Sequence, residues 1–202
     1  MKARIVLAAS YVLMIALVSL AQETGTFTDP RDGKIYRTVT IGSQTWMAEN
    51  LAYKAKSGCY AYGWDSDNKK ANAAKYGYLY EWKAAKKACP PGWHLPTKDE
   101  WEILIGYLGG ENVAGLEMKS PVGWAEDDTG TDSHGFSALP GGYRVDDGSF
   151  DQLGEGAHWW TATEADKYCA WDWAVLKGVK HISIGVYGKS AGGAFSVRGV
   201  KD

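Results

Sequence analysis

Two kinds of side chain in this sequence could do chemistry: carboxylates crowded into glycine-rich stretches, and large aromatic rings set among them. Glu126, Asp127, Asp128 and Asp132 lie close together, and Asp146, Asp147 and Asp151 follow. Calcium takes about six to eight oxygen ligands, mainly carboxylates and carbonyls on a bent loop. Asp128-Thr-Gly-Thr-Asp132 has the alternation and the glycine for such a loop. Asp127, Asp128 and Asp132 are therefore the candidate calcium ligands, although the full EF-hand pattern is missing. Solvated turn carboxylates are the plainer reading of the same residues.

The aromatics have two readings as well. Trp64, Trp124, Trp159, Trp160, Trp171 and Trp173 fall in or near irregular segments. Open Trp and Tyr faces stack on sugar rings or anchor protein partners; closed ones fill a core. In an extended strand Trp159 and Trp160 point to opposite faces, so one is expected to be buried and the other open. Trp171 and Trp173 share a face, which suits a packed cluster or a stacking platform. The candidate ligand-binding set is Trp124, Trp160, Trp171, Trp173 and Tyr143.

Cys59, Cys89 and Cys169 allow at most one intrachain disulfide and leave one thiol over. The sequence leaves all three pairings open, along with an intermolecular thiol. Their spacing does not suit zinc. A nucleophilic cysteine needs a general base beside it, and nothing specifies His158 or His181 for that role. His94, just before a helix, is expected to donate a hydrogen bond to a loop carbonyl. Arg144 and Arg198 are expected to brace carboxylates through bidentate pairs.

The elements that must hold these residues are partly legible. Ile35 to Ile41 alternates as a strand, Gly42-Ser43 suits a tight turn, and Gln44 to Met47 returns. Residues 54 to 75 read as a long surface loop. Tyr78, Trp82, Ala85 and Cys89 mark one helical face, ended by Pro90-Pro91. Thr97 and Glu100 form a capping box ahead of a helix that buries Trp101, Leu104, Ile105 and Leu108 and stops at Gly109-Gly110. Residues 111 to 165 show little helical periodicity. Ala170 to Leu176, His181 to Tyr187 and Ala194 to Val200 read as strands.

Length and charge set the frame. Met1 to Ala21 has a basic start, an apolar run and a small-x-small end, the pattern of a cleaved signal peptide, with an uncleaved anchor as the alternative. Residues 22–33 are expected to be a polar linker and 34–202 one domain. Without Lys2 and Arg4 the basic count falls from 22 to 20 against 24 acidic residues, so the net charge moves from −2 to −4. That balance argues against a nucleic-acid partner, and no second apolar run is long enough to span a bilayer.

Four ordered blocks, YGYLYEWKAAKKACPPGWHLPTKDEWEIL, GFSALPGGYRVDDGSF, WWTATE and AFSVRGVKD, resemble the Fibrobacter succinogenes major paralogous domain from about Phe27 to Asp202. The frame W-x-x-A-x-x-x-C followed by x-L-P-T-x-x-E-W-E is also similar to formylglycine-generating and sulfatase-modifying enzymes, whose fold is C-type lectin-like. The resemblance implies an α+β, C-type lectin-like domain: two helices, a small antiparallel sheet and a long irregular loop region, with the terminal strands close together. The chain departs from the family at Gly199 and at Ala73-Ala74-Lys75, where members often carry cysteine. It also lacks the late cysteine pair of the oxidases and the Glu-Pro-Asn or Gln-Pro-Asp signature of calcium-dependent lectins.

These readings lead to an exported, extracellular or surface-displayed recognition domain without enzymatic activity. Its partner is expected to be an extracellular polysaccharide or protein, with no cofactor unless calcium binds. The competing expectations are a self-associating subunit of an extracellular fibre or surface assembly, and an oxidase of the formylglycine-generating kind.

Overall fold

The structure, a computed structural model, describes residues 23–190 and 192–202. The expected signal segment, 1–21, lies outside the described residues. Strands β1 (Thr24–Thr28), β2 (Ile35–Ile41), β3 (Gln44–Met47) and β4 (Cys59–Tyr60) come first, then helix α1 (Lys69–Tyr76). Next are β5 (Leu79–Tyr80), α2 (Trp82–Ala85), β6 (Trp93–His94), α3 (Lys98–Tyr107) and α4 (Glu111–Met118). A single 3-10 turn at Ala125–Asp127 precedes β7 (Gly141–Arg144), β8 (Phe150–Leu153), β9 (Gly156–Glu164) and β10 (Cys169–Leu176). The chain closes with β11 (Ile182–Gly188), β12 (Phe195–Ser196) and β13 (Val200–Lys201).

The strands form two sheets. One runs β1-β2-β3-β13-β6. The other runs β11-β10-β9-β12-β5-β4, with β7 joined to β9 and carrying β8. The β2–β3 hairpin forms as expected, because Gly42 takes the positive φ of 61° that its tight turn needs. The expected capping box forms too: Thr97 Oγ1 accepts from the Glu100 N–H at 3.2 Å, and Glu100 Oε2 accepts from the Thr97 N–H at 2.7 Å. Helix α3 then buries Trp101, Leu104 and Ile105, with Leu108 buried at its cap.

Several expectations are corrected. The stretch 22–33, expected to be a linker, contains β1, paired along its length with β2. The expected loop 54–75 contains β4 and all but the last residue of α1. The helix expected to run through Tyr78 shrinks to Trp82–Ala85, because Leu79 and Tyr80 pair with Phe195 and Ser196 on one side and with Cys59 and Tyr60 on the other. Helix α4 stands in a stretch with little helical periodicity, so there are four helices among the described residues rather than two. The last strand is broken. β12 belongs to one sheet and β13 to the other, and Val197-Arg198-Gly199 crosses between them.

Strand β9 divides two cores. On one face Trp159 packs with Trp101 and Phe136, ring centroids 5.6 and 5.8 Å away, and Trp46 lies 5.0 Å from Trp101. On the other face Trp160 packs with Phe195 at 4.5 Å and Tyr187 at 6.1 Å. Both tryptophans are fully buried, so the expected open face does not exist; each side of β9 is covered.

Candidate functional site

The crossover Val197-Arg198-Gly199 is tied to the segment after β3. The Met47 N–H donates to the Gly199 carbonyl at 3.0 Å and the Leu51 N–H to the Val197 carbonyl at 2.8 Å. Arg198 is thereby held between the sheets with 1% of its surface exposed. Its Nε and Nη2 donate to Asn50 Oδ1 at 3.1 and 2.8 Å, and its Nη1 donates to the Met47 carbonyl at 3.2 Å and to the Phe136 carbonyl. A guanidinium has five N–H donors. The second Nη2 N–H has no acceptor among the described residues.

All of these acceptors are neutral, and no carboxylate lies within ion-pair distance of Arg198 among the described residues. The expectation that Arg198 braces a carboxylate is corrected accordingly; Asn50 holds it instead. Arg144 likewise donates to the Gly192 carbonyl and lies 4.2 Å from the Tyr60 ring centroid. Burial pushes the pKa of Arg198 down, opposed at longer range by Asp132 and Glu49. Leaving a buried charge without a contacting counter-charge is costly, so Asn50 and the two backbone carbonyls supply what compensation there is.

Asn50 is the hub of this arrangement. Its Nδ2 donates to the Tyr76 carbonyl at 3.0 Å and to Ser196 Oγ at 3.2 Å, and its Oδ1 also accepts from Trp159 Nε1 at 3.0 Å. Helix α1 reaches this point through Gly77, where a Cβ would lie 2.7 Å from the Leu51 carbonyl oxygen; φ there is +80°. Only glycine allows that close approach without strain.

Over Arg198 opens a cavity of about 330 Å³, walled by Asn50, Glu49, Ser120, Asp132 and Ser137, with Arg37 and Lys75 at the same site. Asp132 accepts from the N–H and the hydroxyl of Ser137, both at 2.6 Å. Asp132 and Ser137 both hold positive φ, 43° and 55°. Non-glycine residues held in that region cluster at ligand sites. Among the described residues that line the cavity there is no cysteine and no histidine.

The residues singled out from sequence are scattered. Trp160 and Trp173 are fully buried and Trp124 is 7% exposed, its Nε1 donating to the Ala138 carbonyl at 3.2 Å. These three are core residues, not open stacking faces. Trp171 is half-buried, with Lys98 Nζ 5.7 Å from its ring, and Tyr143 is half-buried against His158 at 4.7 Å. Trp171 and Trp173 share a face of β10, but only the Trp171 end reaches the surface.

Two of the candidate calcium residues have protein partners. Asp128 accepts from the buried Lys119 Nζ at 2.6 Å and from the Gly178 N–H at 3.0 Å. Asp132 is engaged with Ser137, and the side chain of Asp127 lies outside the described residues. Among the described residues no group of three or more His, Cys, Asp or Glu could hold a metal ion.

Cys59, Cys89 and Cys169 are all free thiols. Cys59 donates to the Ala55 carbonyl at 3.3 Å, and burial pushes Cys89 up to about 12. His94 bridges Asp202 at 2.6 Å and Glu100 at 2.8 Å rather than a loop carbonyl.

The chain matches the Fibrobacter succinogenes major domain over residues 39–201. That span includes Asn50, the strained Asp132–Ser137 turn and Arg198. The chain belongs to the Fibrobacter succinogenes major domain family. The match begins inside β2, so β1 lies ahead of it. No curated protein and no solved structure matches the chain. No helix of the described residues is long and apolar enough to cross a membrane.

Proposed function

We propose that this family member is an exported, non-enzymatic recognition domain of C-type lectin-like architecture that takes an extracellular polysaccharide or protein into the cavity over Arg198. The single observation behind this is the buried Arg198 guanidinium, held by neutral acceptors, with one N–H unused beneath a cavity rich in hydrogen-bonding groups. Carboxylates, amides, hydroxyls and guanidinium groups held rigidly by their neighbours fix a polar ligand at low entropic cost. The lectin-like reading is supported by β2 and β13 lying either side of β3, which brings early and late strands together.

Ala74 provides the test. It is exposed on α1 and lines the cavity. Ala74→Trp should narrow the mouth and leave the core untouched. Wild-type protein is expected to bind in a glycan-array screen or a pull-down on insoluble polysaccharide or extracellular protein. The variant is expected to lose that binding while its melting curve stays unchanged. Binding that persists in Ala74→Trp would remove this cavity as the site.

A self-associating role has one observation in its favour. β11 is the edge of its sheet and exposes Ile184 at 37% and Val186 at 53%. Sedimentation velocity over a concentration series tests it, and a constant monomer mass would exclude it.

A further inference from the structure

The cavity over Arg198 does not end at its own walls. Lys34 and Ala74 line both it and a second hollow of about 240 Å³. Lys70 and Tyr78 line that hollow and a third, of about 270 Å³, which ends on the ring of Trp64. The three make one groove along α1, whose eight residues alone span ~12 Å.

The charge on this groove is one-sided. Lys34, Arg37, Lys75 and Arg198 line the first hollow, Lys70 joins in the second, and Lys54 and Lys69 in the third. Against these seven cations stand two carboxylates, Glu49 and Asp132. Glu49 is paired with Arg37 at 2.9 Å and Asp132 is engaged by Ser137. Lys34, Lys54, Lys69, Lys70 and Lys75 make no ion pair among the described residues. Outside the groove Lys98, Lys119, Lys177 and Lys189 are paired with carboxylates, while Lys56, Lys83, Lys86, Lys87, Lys167, Lys180 and Lys201 make no ion pair among the described residues. Five lysines without an ion pair thus line this groove.

Trp64 defines the far end. At 37% it is the one tryptophan that is exposed, and Lys54 and Lys69 lie 5.6 and 6.0 Å from its ring. An aromatic ring rimmed by ammonium groups suits a ring-shaped unit that carries an anion.

We propose that this groove binds an extended acidic polysaccharide, a polyuronate whose carboxylates meet the lysines of α1 and Arg198 while one sugar ring stacks on Trp64. The proposal rests on the recognition reading above and names its ligand class. A polyanion held this way displaces counterions, so its affinity must fall with salt.

The test uses the folded chain and three probes: an oligogalacturonate, a neutral oligosaccharide of equal length, and a single-stranded oligonucleotide of similar charge. Calorimetry at two salt concentrations is expected to show oligogalacturonate bound most tightly and weakened by salt. Trp64→Ala is expected to cost about tenfold with the salt dependence retained. The double variant Lys69→Ala/Lys70→Ala is expected to cost about tenfold and to flatten the salt dependence. All three positions are exposed, so their melting curves should match wild type.

A tighter oligonucleotide, or oligogalacturonate binding untouched by these variants, would overturn the proposal. Equal binding of the neutral oligosaccharide would overturn the polyanion assignment and leave the recognition reading standing, since Ala74→Trp would still abolish it. If none of the three binds, the polyuronate proposal falls, and the recognition reading is then decided by the protein arm of the Ala74→Trp comparison.

Discussion

Asp172 carries the sharpest consequence at the scale of single residues. It sits on β10, 7% exposed, and its carboxylate makes no hydrogen bond or ion pair among the described residues. Burial raises its pKa to about 6. A carboxyl whose folded pKa lies above its unfolded value of 3.8 stabilises the fold when protonated, and that benefit is lost as pH rises from about 4 through about 6. Asp172→Asn should therefore raise stability at pH 7 by about 2 kcal/mol and leave it nearly unchanged at pH 4. Urea melts at the two pH values check this, and equal effects at both would refute it. His158 works in the opposite sense. Burial lowers it to about 4 from 6.5, so its contribution is present above 6.5 and fades as pH falls toward 4. The burial of neither group was legible in the sequence. A partnerless aspartate between two tryptophans reads like any other until the strands on each side are in place.

At the scale of elements, the crossover between β12 and β13 decides the site. The sequence marked Ala194 to Val200 as one strand, since the apolar pattern barely changes across it. What breaks it is pairing with two different sheets, a fact that lies in residues 37 to 154 positions away. The same long-range pairing truncated α2, where Tyr80 stacks in the sheet rather than on a helix. By contrast the Thr97–Glu100 box and the Gly42 turn were legible, because their hydrogen bonds close within a few residues. The crossover also brings Gly199 close to a free thiol. A Cβ there would lie 3.5 Å from Cys89 Sγ and 3.2 Å from Met47 Sδ, within disulfide reach once Met47 shifts. Gly199→Cys is expected to form a bond to Cys89 under oxidation and to add about 3 kcal/mol. Mass spectrometry of non-reduced peptides would detect it, and two unmodified thiols after oxidation would contradict it.

At the scale of the whole molecule, β9 joins the two cores. Trp159 and Trp160 belong to different clusters yet are adjacent in sequence. Neither core can loosen without disturbing the strand that carries the other. Trp159→Leu and Trp160→Leu should each cost about 3 kcal/mol, and each should lower one shared unfolding transition rather than split it. Calorimetry showing two separate transitions in either variant would refute this coupling. The mixed α+β class and the family were readable from ordered local blocks. The cavity was not, because its walls come from the β2–β3 side, α1, the Asp132–Ser137 turn and the last crossover. Its anchor, Arg198, stands in AFSVRGV with nothing nearby to betray its role.

The exposure of Trp64 has an optical consequence. Of the ten tryptophans, Trp64 alone meets the solvent freely and only Trp171 is half-open. The long-wavelength edge of the native emission is therefore dominated by a single ring at the end of the groove. Iodide, drawn in by the surrounding lysines, would dim that edge more than caesium does, and an occupied groove would shield it, so the chain contains its own reporter of occupancy.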